Sequence, residues 1–267
     1  MYLLLKILWL ALTYVLGSIP FGLVLARVFC KIDIRKAGSG NVGATNVARL
    51  CGTGWGVLTL LLDAAKGAAP VAAVLYVLPH YWPEMFAAKG PAGLASLTVL
   101  AAILGHLYSV FLKFKGGKAV ATTVGAYLVI LPVHLIISAV LCILVIKRWG
   151  FVSLGSIVLV STMPVLLILS GMFTRNFDYM LLSVCILVLV IYSHRANLGR
   201  LAAGEEKPWQ KRDASVEPAS VPDGAPSSKN GADPAFAAQI PGAAEVLSAG
   251  NVCPPVEDQT NQGLKGI

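Results

Sequence analysis

Three polar stretches interrupt an otherwise apolar chain, and each combines residue types that can hold phosphate oxygens. They occupy residues 38–49, 105–125 and 194–206. Each contains glycine, neutral hydrogen-bonding side chains and at least one lysine or arginine. Backbone N–H groups in glycine-rich turns, helix N-termini and cationic side chains are common phosphate ligands in proteins. The pattern predicts a site for two anionic substrates, or for one substrate with two phosphate-like groups.

The first stretch, GSGNVGATNVAR, places hydrogen-bonding side chains between glycines. Its glycines allow a tight backbone with inward N–H groups, and its arginine offers a planar fork that matches phosphate. A Gly/Asn-rich turn between two apolar segments is the competing interpretation. The candidates are Ser39, Asn46 and Arg49 as catalytic residues and Gly40, Asn41 and Thr45 as substrate-binding residues.

The second stretch, GHLYSVFLKFKGGKAVATTVG, has a Gly-Gly-Lys sequence that opens a predicted helix. This arrangement resembles phosphate cradles built from backbone amides, a helix N-terminus and a lysine, although the Walker A spacing is absent. The alternative is that its three lysines only anchor the chain at the membrane surface and that its histidine is a buried structural residue. The candidates are Lys118 as a catalytic residue and His106, Ser109, Lys115, Gly116, Gly117 and Thr122 as substrate-binding residues.

The third stretch, HRANLGRLAAGEE, repeats polar side chains at helical spacing. Residues three positions apart lie on one face of a helix, so these side chains are predicted to point the same way. A juxtamembrane helix that binds anionic headgroups is the alternative. The candidates are His194 and Asn197 as catalytic residues and Arg195 and Arg200 as substrate-binding residues.

An acid and a base, Asp63 and Lys66, also lie inside an apolar run. Each costs about 2.5–3.5 kcal/mol if it is isolated at the centre of a bilayer. Their spacing of three residues lets them pair on one helix face. A structural ion pair and a substrate contact are both compatible with this pattern.

The elements that must position these stretches are membrane spans. Of the 267 residues, 57% are hydrophobic and only 13% are charged, about half the charged fraction of a soluble domain. Residues 1–204 carry 16 Lys/Arg against four Asp/Glu, a net charge of +12, which suits anionic lipids or substrates. We therefore predict an all-α integral membrane protein. The apolar runs are residues 3–26, 53–78, 93–112, 119–146, 153–171 and 179–193.

Charge placement predicts the direction of the spans. Residues 27–52 carry five Lys/Arg against one Asp, so the positive-inside rule places this segment in the cytoplasm and the N-terminus outside. The run 119–146 is either one long tilted helix or two helices of about 13 residues, each short for a bilayer, that break near Pro132. Two helices return Lys147 and Arg148 to the cytoplasm. We therefore favour seven transmembrane helices, two of them short, with the N-terminus outside and the C-terminus in the cytoplasm.

The composition changes after residue 206. Residues 207–267 hold eight of the 15 prolines and no apolar period long enough to build a core. We predict a transmembrane domain over 1–206 and a disordered Pro/Ala-rich cytoplasmic tail over 207–267. The five cysteines are scattered without CxxC or Cys/His spacing, so neither a metal site nor a disulfide framework is predicted.

In their order and spacing, the three stretches closely resemble the three cytoplasmic motifs of the bacterial membrane glycerol-3-phosphate acyltransferases that use acyl phosphate, the PlsY family. LGSIPFGLVLAR in the first apolar run and LLDAAKG in the second also resemble that family. The resemblance covers residues 1–206 and does not extend to the tail.

The resemblance implies transfer of a fatty acyl group from acyl phosphate to the 1-hydroxyl of glycerol 3-phosphate, which gives lysophosphatidate and inorganic phosphate in phospholipid biosynthesis. It implies a site on the cytoplasmic face of the bacterial inner membrane and no cofactor. Acyl phosphate is already activated, so the site must mainly supply positioning and charge neutralisation. In agreement, none of the four histidines begins the His-x-x-x-x-Asp dyad of the acyl-CoA-type glycerolipid acyltransferases.

Role assignments follow from this resemblance, with the glycerol 3-phosphate region at the second stretch. A phosphate oxygen of a substrate is expected to accept the hydroxyl proton, because neither histidine near the motifs is an obvious general base. The assigned roles are phosphate binding for Lys118 with the amides of Gly116 and Gly117, substrate orientation and charge stabilisation for Ser39, Asn46 and Arg49, and closure of the site for His194 and Asn197.

The expected partners are the two substrates, the lipid bilayer and the soluble enzyme that makes acyl phosphate, and no nucleic acid. The main alternative is a transporter or channel for an organic phosphate, which predicts an internal repeat and charges along a transmembrane path. The sequence has no such repeat, and its polar motifs cluster on one face. A lipid-binding scaffold, the third reading, does not require His, Asn and Ser beside the cations.

Overall fold

A computed structural model describes residues 2–87 and 90–209, and within these ranges the chain is helical without β-strands. Single π-helical and 3₁₀ turns at Ala73–Val77, Pro83–Met85 and Val110–Leu112 supplement the α-helices. The α-helices are α1 Tyr2–Ser18, α2 Phe21–Phe29, α3 Ala44–Cys51, α4 Thr53–Ala72, α5 Leu78–Tyr81, α6 Ala92–Leu107, α7 Val120–Ile130, α8 Pro132–Trp149, α9 Val152–Leu169, α10 Met172–Arg175, α11 Phe177–Ser193 and α12 Arg195–Ala202.

The described helices include five segments that are long and apolar enough to cross a membrane. A sixth is added if α11 and α12, which meet at a bend of 58°, count as one span, and α7 is a shorter apolar helix. These segments follow the predicted apolar runs and make the chain a multi-pass helical membrane protein. The count of seven spans stays a prediction. The five segments are Tyr2–Phe29, Thr53–Tyr81, Ala92–Leu112, Pro132–Trp149 and Val152–Leu169.

The break predicted near Pro132 is present, but the two helices that it separates are unequal. The first, α7, has 11 residues, and the second, α8, has 18. The predicted length of about 13 residues is therefore wrong for α8. That helix continues through two basic residues, which suit the negative end of the helix dipole, and it stops at Gly150, whose φ of 80° is left-handed.

A second break, at Pro20, separates α1 from α2. Proline has no N–H to donate, and the last carbonyls of α1 need other partners. Two side chains supply them, one from the loop after α6 and one from α4. The Ser109 hydroxyl donates to the Ser18 carbonyl at 2.6 Å, and the Lys66 ammonium donates to the Ile19 carbonyl at 2.9 Å.

Close helix packing centres on α4 and α7, which meet through glycines. A Cβ on Gly67 would collide with the Thr122 carbonyl oxygen, and one on Gly125 would collide with the Ala64 carbonyl oxygen. Small residues at such crossings let backbones approach closely in membrane proteins. The larger buried cluster lies around this contact and includes Tyr127, whose hydroxyl donates to Ser183 at 3.2 Å. Of the predicted tail, residues 210–267 lie outside the described residues.

Candidate active site

A cavity of about 360 Å³ lies where the three polar stretches meet. All six residues predicted as catalytic line it, together with four of those predicted to bind substrate, Asn41, Thr45, His106 and Arg200. The predicted residues outside its lining are Gly40, Ser109, Lys115, Gly116, Gly117, Thr122 and Arg195.

The side chain of Asn46 holds the first stretch in its loop conformation. Its Oδ1 accepts a hydrogen bond from the Ser39 N–H at 2.9 Å, and its Nδ2 donates to the carbonyls of Ile34 and Asn41 at 3.0 and 2.9 Å. Both N–H groups of this amide are used inside the loop, so the geometry does not favour the predicted stabilisation of substrate charge by Asn46, which stays a prediction. The contacts show that Asn46 holds the loop that carries Ser39 at the cavity.

Arg49 reaches the same cavity from the last turn of α3. Its Nε is buried and has no hydrogen-bond partner among the described residues. A buried donor without a partner is costly, and a guanidinium pairs well with phosphate oxygens. Among the predicted catalytic residues of the first stretch, Arg49 is therefore the side chain best suited to pair with an anion.

The glycine pair of the second stretch is used for packing. The Gly116 N–H donates to the Leu107 carbonyl at 2.9 Å, and the Gly117 N–H donates to the His106 carbonyl at 3.0 Å. A Cβ on either residue would collide with His106. The predicted phosphate cradle of two glycine amides is therefore corrected, because both amides already have partners. α7 itself begins only at Val120.

Four other predicted substrate-binding residues point elsewhere. Ser109 is buried against the α1 break, and Thr122 contacts His106 Nδ1 at 3.1 Å instead of the cavity. Lys115 is exposed to the surroundings, outside the cavity lining. Arg195 lies over the Tyr192 ring at 4.4 Å and is likewise exposed.

A hydrogen-bond network joins the second and third stretches across the cavity. The Lys118 ammonium donates to Asn197 Oδ1, and Asn197 Nδ2 donates to a carboxylate oxygen of Glu206. The same carboxylate accepts from the Ser153 hydroxyl at 2.8 Å and pairs with Arg200 Nε at 2.8 Å. Four side chains from three segments are thus arranged around one acid.

The charges of this network influence one another. Burial lowers the pKa of the Lys118 ammonium to about 8, against the opposing attraction of Glu206. Burial also acts to raise the pKa of the Glu206 carboxyl, but the hydrogen bonds from Asn197, Ser153 and Arg200 outweigh it and hold that pKa below its ordinary value. Glu206 is therefore ionised at neutral pH, and the Lys118 pKa of about 8 lies close to neutral pH.

His194 lies at the bend between α11 and α12 and is buried. Its Nδ1 is 2.8 Å from the Val190 carbonyl oxygen. A carbonyl only accepts, so Nδ1 carries the proton and Nε2 keeps the lone pair in the neutral ring. Since His194 lines the cavity, Nε2 is available to accept a hydrogen bond from a ligand there.

Several lining residues were absent from the predicted set: Ser153, Ser156, Glu205, Glu206, Lys207 and Trp209. Glu206 lies at the end of the third stretch, and an acid there could have suggested a partner for the surrounding cations. Ser153 gave no comparable sequence pattern, because it enters the site from a different helix. The segment after α12 contacts the turn between α8 and α9, where the backbone N–H of Trp209 donates to the Gly150 carbonyl at 3.0 Å.

Comparison with known proteins gives consistent matches. A family model for glycerol-3-phosphate acyltransferase matches residues 7–204. A glycerol-3-phosphate acyltransferase of Nitratidesulfovibrio vulgaris is 55% identical over 207 residues, which are 78% of this chain and 59% of that relative, so the match spans less than two thirds of its length. Another, of Desulfovibrio desulfuricans, is 50% identical over 78% of this chain and 86% of the relative.

Solved structures agree with the sequence matches. The crystal structure of PlsY (YgiH), an integral membrane glycerol 3-phosphate acyltransferase, in its glycerol 3-phosphate form superposes with a TM-score of 0.67 at 34% identity, over 76% of this chain and 94% of that chain. Its lysophosphatidic acid form gives a TM-score of 0.64 at 33% identity with the same coverage. The chain belongs to the glycerol-3-phosphate acyltransferase family.

Proposed function

We propose that this chain transfers a fatty acyl group from acyl phosphate to the 1-hydroxyl of glycerol 3-phosphate, giving lysophosphatidate and inorganic phosphate. The names of the matched relatives support glycerol 3-phosphate as the acceptor. The solved forms of PlsY with glycerol 3-phosphate and with lysophosphatidic acid support the same substrate and the same type of product.

The observation that carries the proposal is the excess of donors in one cavity. Four cationic side chains line it, Arg49, Lys118, Arg200 and Lys207, together with three acids, Asp63, Glu205 and Glu206. Asp63 already pairs with Lys66, and Glu206 already accepts from Asn197, Ser153 and Arg200. Arg49 Nε remains buried without a partner among the described residues. Phosphate oxygens would satisfy these donors, as they do at other clusters of arginine and lysine.

The same donor set favours acyl phosphate as the acyl donor. The acceptor hydroxyl oxygen attacks the acyl carbonyl, the bond between that carbonyl and the phosphate oxygen breaks, and phosphate leaves with the electron pair. A phosphate oxygen of a substrate accepts the hydroxyl proton. Lys118 and Arg49 neutralise charge on the reacting groups, while Ser39 and the Asn197 network orient them.

The arrangement of the helices supports the proposed topology. Four segments line the cavity: residues 38–49, the Lys118 loop, the start of α9 and the segment after α11. Two helical crossings separate each segment from the next, provided that the short α7 counts as one. An even number of crossings returns the chain to the same side each time, which supports seven spans with the N-terminus opposite the site.

We further propose that this side is the cytoplasmic face of a bacterial inner membrane. The basic segment 27–52 and the basic end of α8 both lie on it, as the positive-inside rule requires. A cytoplasmic site is also accessible to glycerol 3-phosphate and to a soluble enzyme that makes acyl phosphate. Residues 211–267 of the tail are proposed to contribute no catalytic residue.

The donor assay tests the proposal. Purified protein receives glycerol 3-phosphate with acyl phosphate, acyl-CoA or acyl carrier protein in separate reactions, each with and without a chelator, and lysophosphatidate is measured. We expect product from acyl phosphate alone, unaffected by the chelator. Equal rates with acyl-CoA, or loss of activity with the chelator, would overturn the proposed donor and mechanism.

A further inference from the structure

A second polar cluster, formed by Asp63, Lys66 and His106, is buried beside the cavity. The side chains of Lys66 and Asp63 are only 2% and 3% exposed, and Lys66 Nζ lies 2.8 Å from Asp63 Oδ1. His106 Nδ1 is 3.8 Å from the same oxygen. A buried ion pair of this kind is weak evidence for stability, because desolvation offsets much of the attraction. The contacts of the cluster with neighbouring segments are therefore more informative than its contribution to stability.

On one side, the cluster contacts the break between α1 and α2. Lys66 Nζ donates to the Ile19 carbonyl at 2.9 Å and lies 5.7 Å from the centre of the Phe21 ring. A separate small cavity of about 10 Å³ lies here, and Asp63 and His106 line both cavities. The cluster thus forms the wall between the helix break and the candidate active site.

On the other side, the cluster contacts the loop that carries Lys118. The His106 carbonyl accepts the Gly117 N–H at 3.0 Å, and the His106 ring packs so closely on Gly117 that a Cβ there would collide with Nε2. Thr122 Oγ1 shares a hydrogen bond with Nδ1 of the same ring at 3.1 Å. Gly117 immediately precedes Lys118, so the position of the ring limits where Lys118 can lie.

We propose that Asp63, Lys66 and Thr122 act through His106 as positioning residues that hold the Lys118 ammonium in place at the active site. Thr122 fixes the imidazole from α7, and the Asp63–Lys66 pair supports it from α4. None of the three needs to contact substrate for this role. The proposal deepens the proposed function by naming the residues that hold Lys118, the principal cation of the site. Its kcat readout rests on that proposed function.

Thr122 offers the sharpest test because an adjacent residue is a matched control. Thr122 and Thr123 are both fully buried on α7. Thr122 is hydrogen-bonded to His106, whereas Thr123 Oγ1 has no hydrogen-bond partner among the described residues. Replacing each by valine keeps the shape and removes the hydroxyl, but only one replacement removes a hydrogen bond. Thr122→Ser keeps the hydroxyl and serves as the rescue variant.

Two readouts distinguish positioning from general stability. The first readout is kcat. We expect Thr122→Val to lower kcat about tenfold, the factor that loss of one buried hydrogen bond can produce. Thr122→Ser and Thr123→Val should keep kcat within about twofold of the unmodified chain. The second is competitive acetylation of the Lys118 amine by acetic anhydride across pH, measured by mass spectrometry. This readout requires no enzymatic activity.

The charged and titratable groups that influence the Lys118 amine include Glu206, Arg200 and His194, and Arg49 and Lys207 line the same cavity. If Thr122→Val displaces Lys118 from its buried place, its acetylation midpoint shifts to higher pH, and Thr123→Val leaves that midpoint unchanged. The proposal would be overturned if the two valine variants gave the same kcat and the same acetylation midpoint. It would also be overturned if Thr122→Val matched the unmodified chain in both quantities. An inactive unmodified chain would instead reject the proposed function, and the acetylation midpoints would still decide the positioning role.

Discussion

The Lys118 ammonium donates a hydrogen bond to Asn197 Oδ1, although the two residues are 79 positions apart in the chain. This contact joins the loop before α7 to the helix that follows the last long apolar helix. Through Asn197 the lysine also reaches Glu206. The position of the principal cation of the site therefore depends on elements from both halves of the described chain.

Replacing Lys118 by alanine should lower acyltransferase turnover at least tenfold. A charge-assisted hydrogen bond to phosphate contributes roughly 1.5–3 kcal/mol, and each 1.36 kcal/mol corresponds to about a factor of ten in rate. Lys113→Ala is the control, because Lys113 is exposed in the same loop and does not line the cavity. Equal and mild effects of both variants on the rate would show that the loop serves only as a topological anchor.

Activity should fall as the pH rises through about 8, the pKa that burial gives the Lys118 ammonium. The charged form binds phosphate and predominates below this pH, so the loss lies on the alkaline side. Lys118→Arg should move this alkaline limb upward by more than a unit, because a guanidinium stays charged above pH 12. The measurement is kcat/KM against pH for both proteins; superimposable alkaline limbs would contradict the assignment.

Glu206→Gln should lower both the melting temperature and the turnover. Its carboxylate accepts from Asn197, Ser153 and Arg200, and an amide cannot accept from all three. Loss of one of these hydrogen bonds to a carboxylate costs on the order of 1 kcal/mol, a value reduced by solvent screening because Arg200 is 40% exposed. Thermal unfolding in detergent is compared with that of the solvent-exposed neighbour variant, Glu205→Gln, and turnover is compared with that of the unmodified chain. Identical melting temperatures for the two variants would show that the network adds no stability.

Ala119→Gly should destabilise the protein less than Ala126→Gly, by about 1–2 kcal/mol. Ala119 has a φ of 58° immediately before α7, a conformation that costs an L-residue roughly 1–2 kcal/mol and that glycine adopts without strain. Both alanines are 1% exposed, so both variants lose a buried methyl group and both gain chain entropy in the unfolded state. Thermal unfolding of both variants gives the comparison, and equal destabilisation would refute the strain argument.

Single cysteines at Lys36, Trp149 and Gly199, in a background without native cysteines, should react with a membrane-impermeant thiol reagent only from the cytoplasm. Cysteines at Tyr81 and Leu169 should react only from outside. All five positions are exposed on the protein surface. Labelling of position 149 from outside would reject the seven-span topology.

The sequence predicted the apolar helices well, because length and hydrophobicity decide them locally. It also identified residues that meet at the cavity, since Arg49, Lys118, His194 and Asn197 all line it. What it could not distinguish was a glycine that exposes its amide from a glycine that allows close packing. For Gly117, which lies in a loop, that choice depends on the His106 ring, which approaches from α6.

Asn46 shows the same limit of sequence-based prediction for a polar residue. An amide side chain can bind a ligand or hold a loop, and the residue type is the same in both cases. The loop-holding role depends on the Ile34 carbonyl, 12 residues earlier in the chain. Ser153 is a further case, because its partner Glu206 lies 53 residues away.

The place of Glu206 in the chain has a consequence for biogenesis. The residue follows α12, after every long apolar helix of the described chain. A ribosome adds roughly 5–20 residues per second, so Lys118 enters the membrane several seconds before its acidic partner is synthesised. The network that places this lysine can therefore form only when the last helices have been inserted. On the proposed function, a nascent or truncated chain that ends before Glu206 should therefore form no lysophosphatidate, even when the first two stretches are already in place.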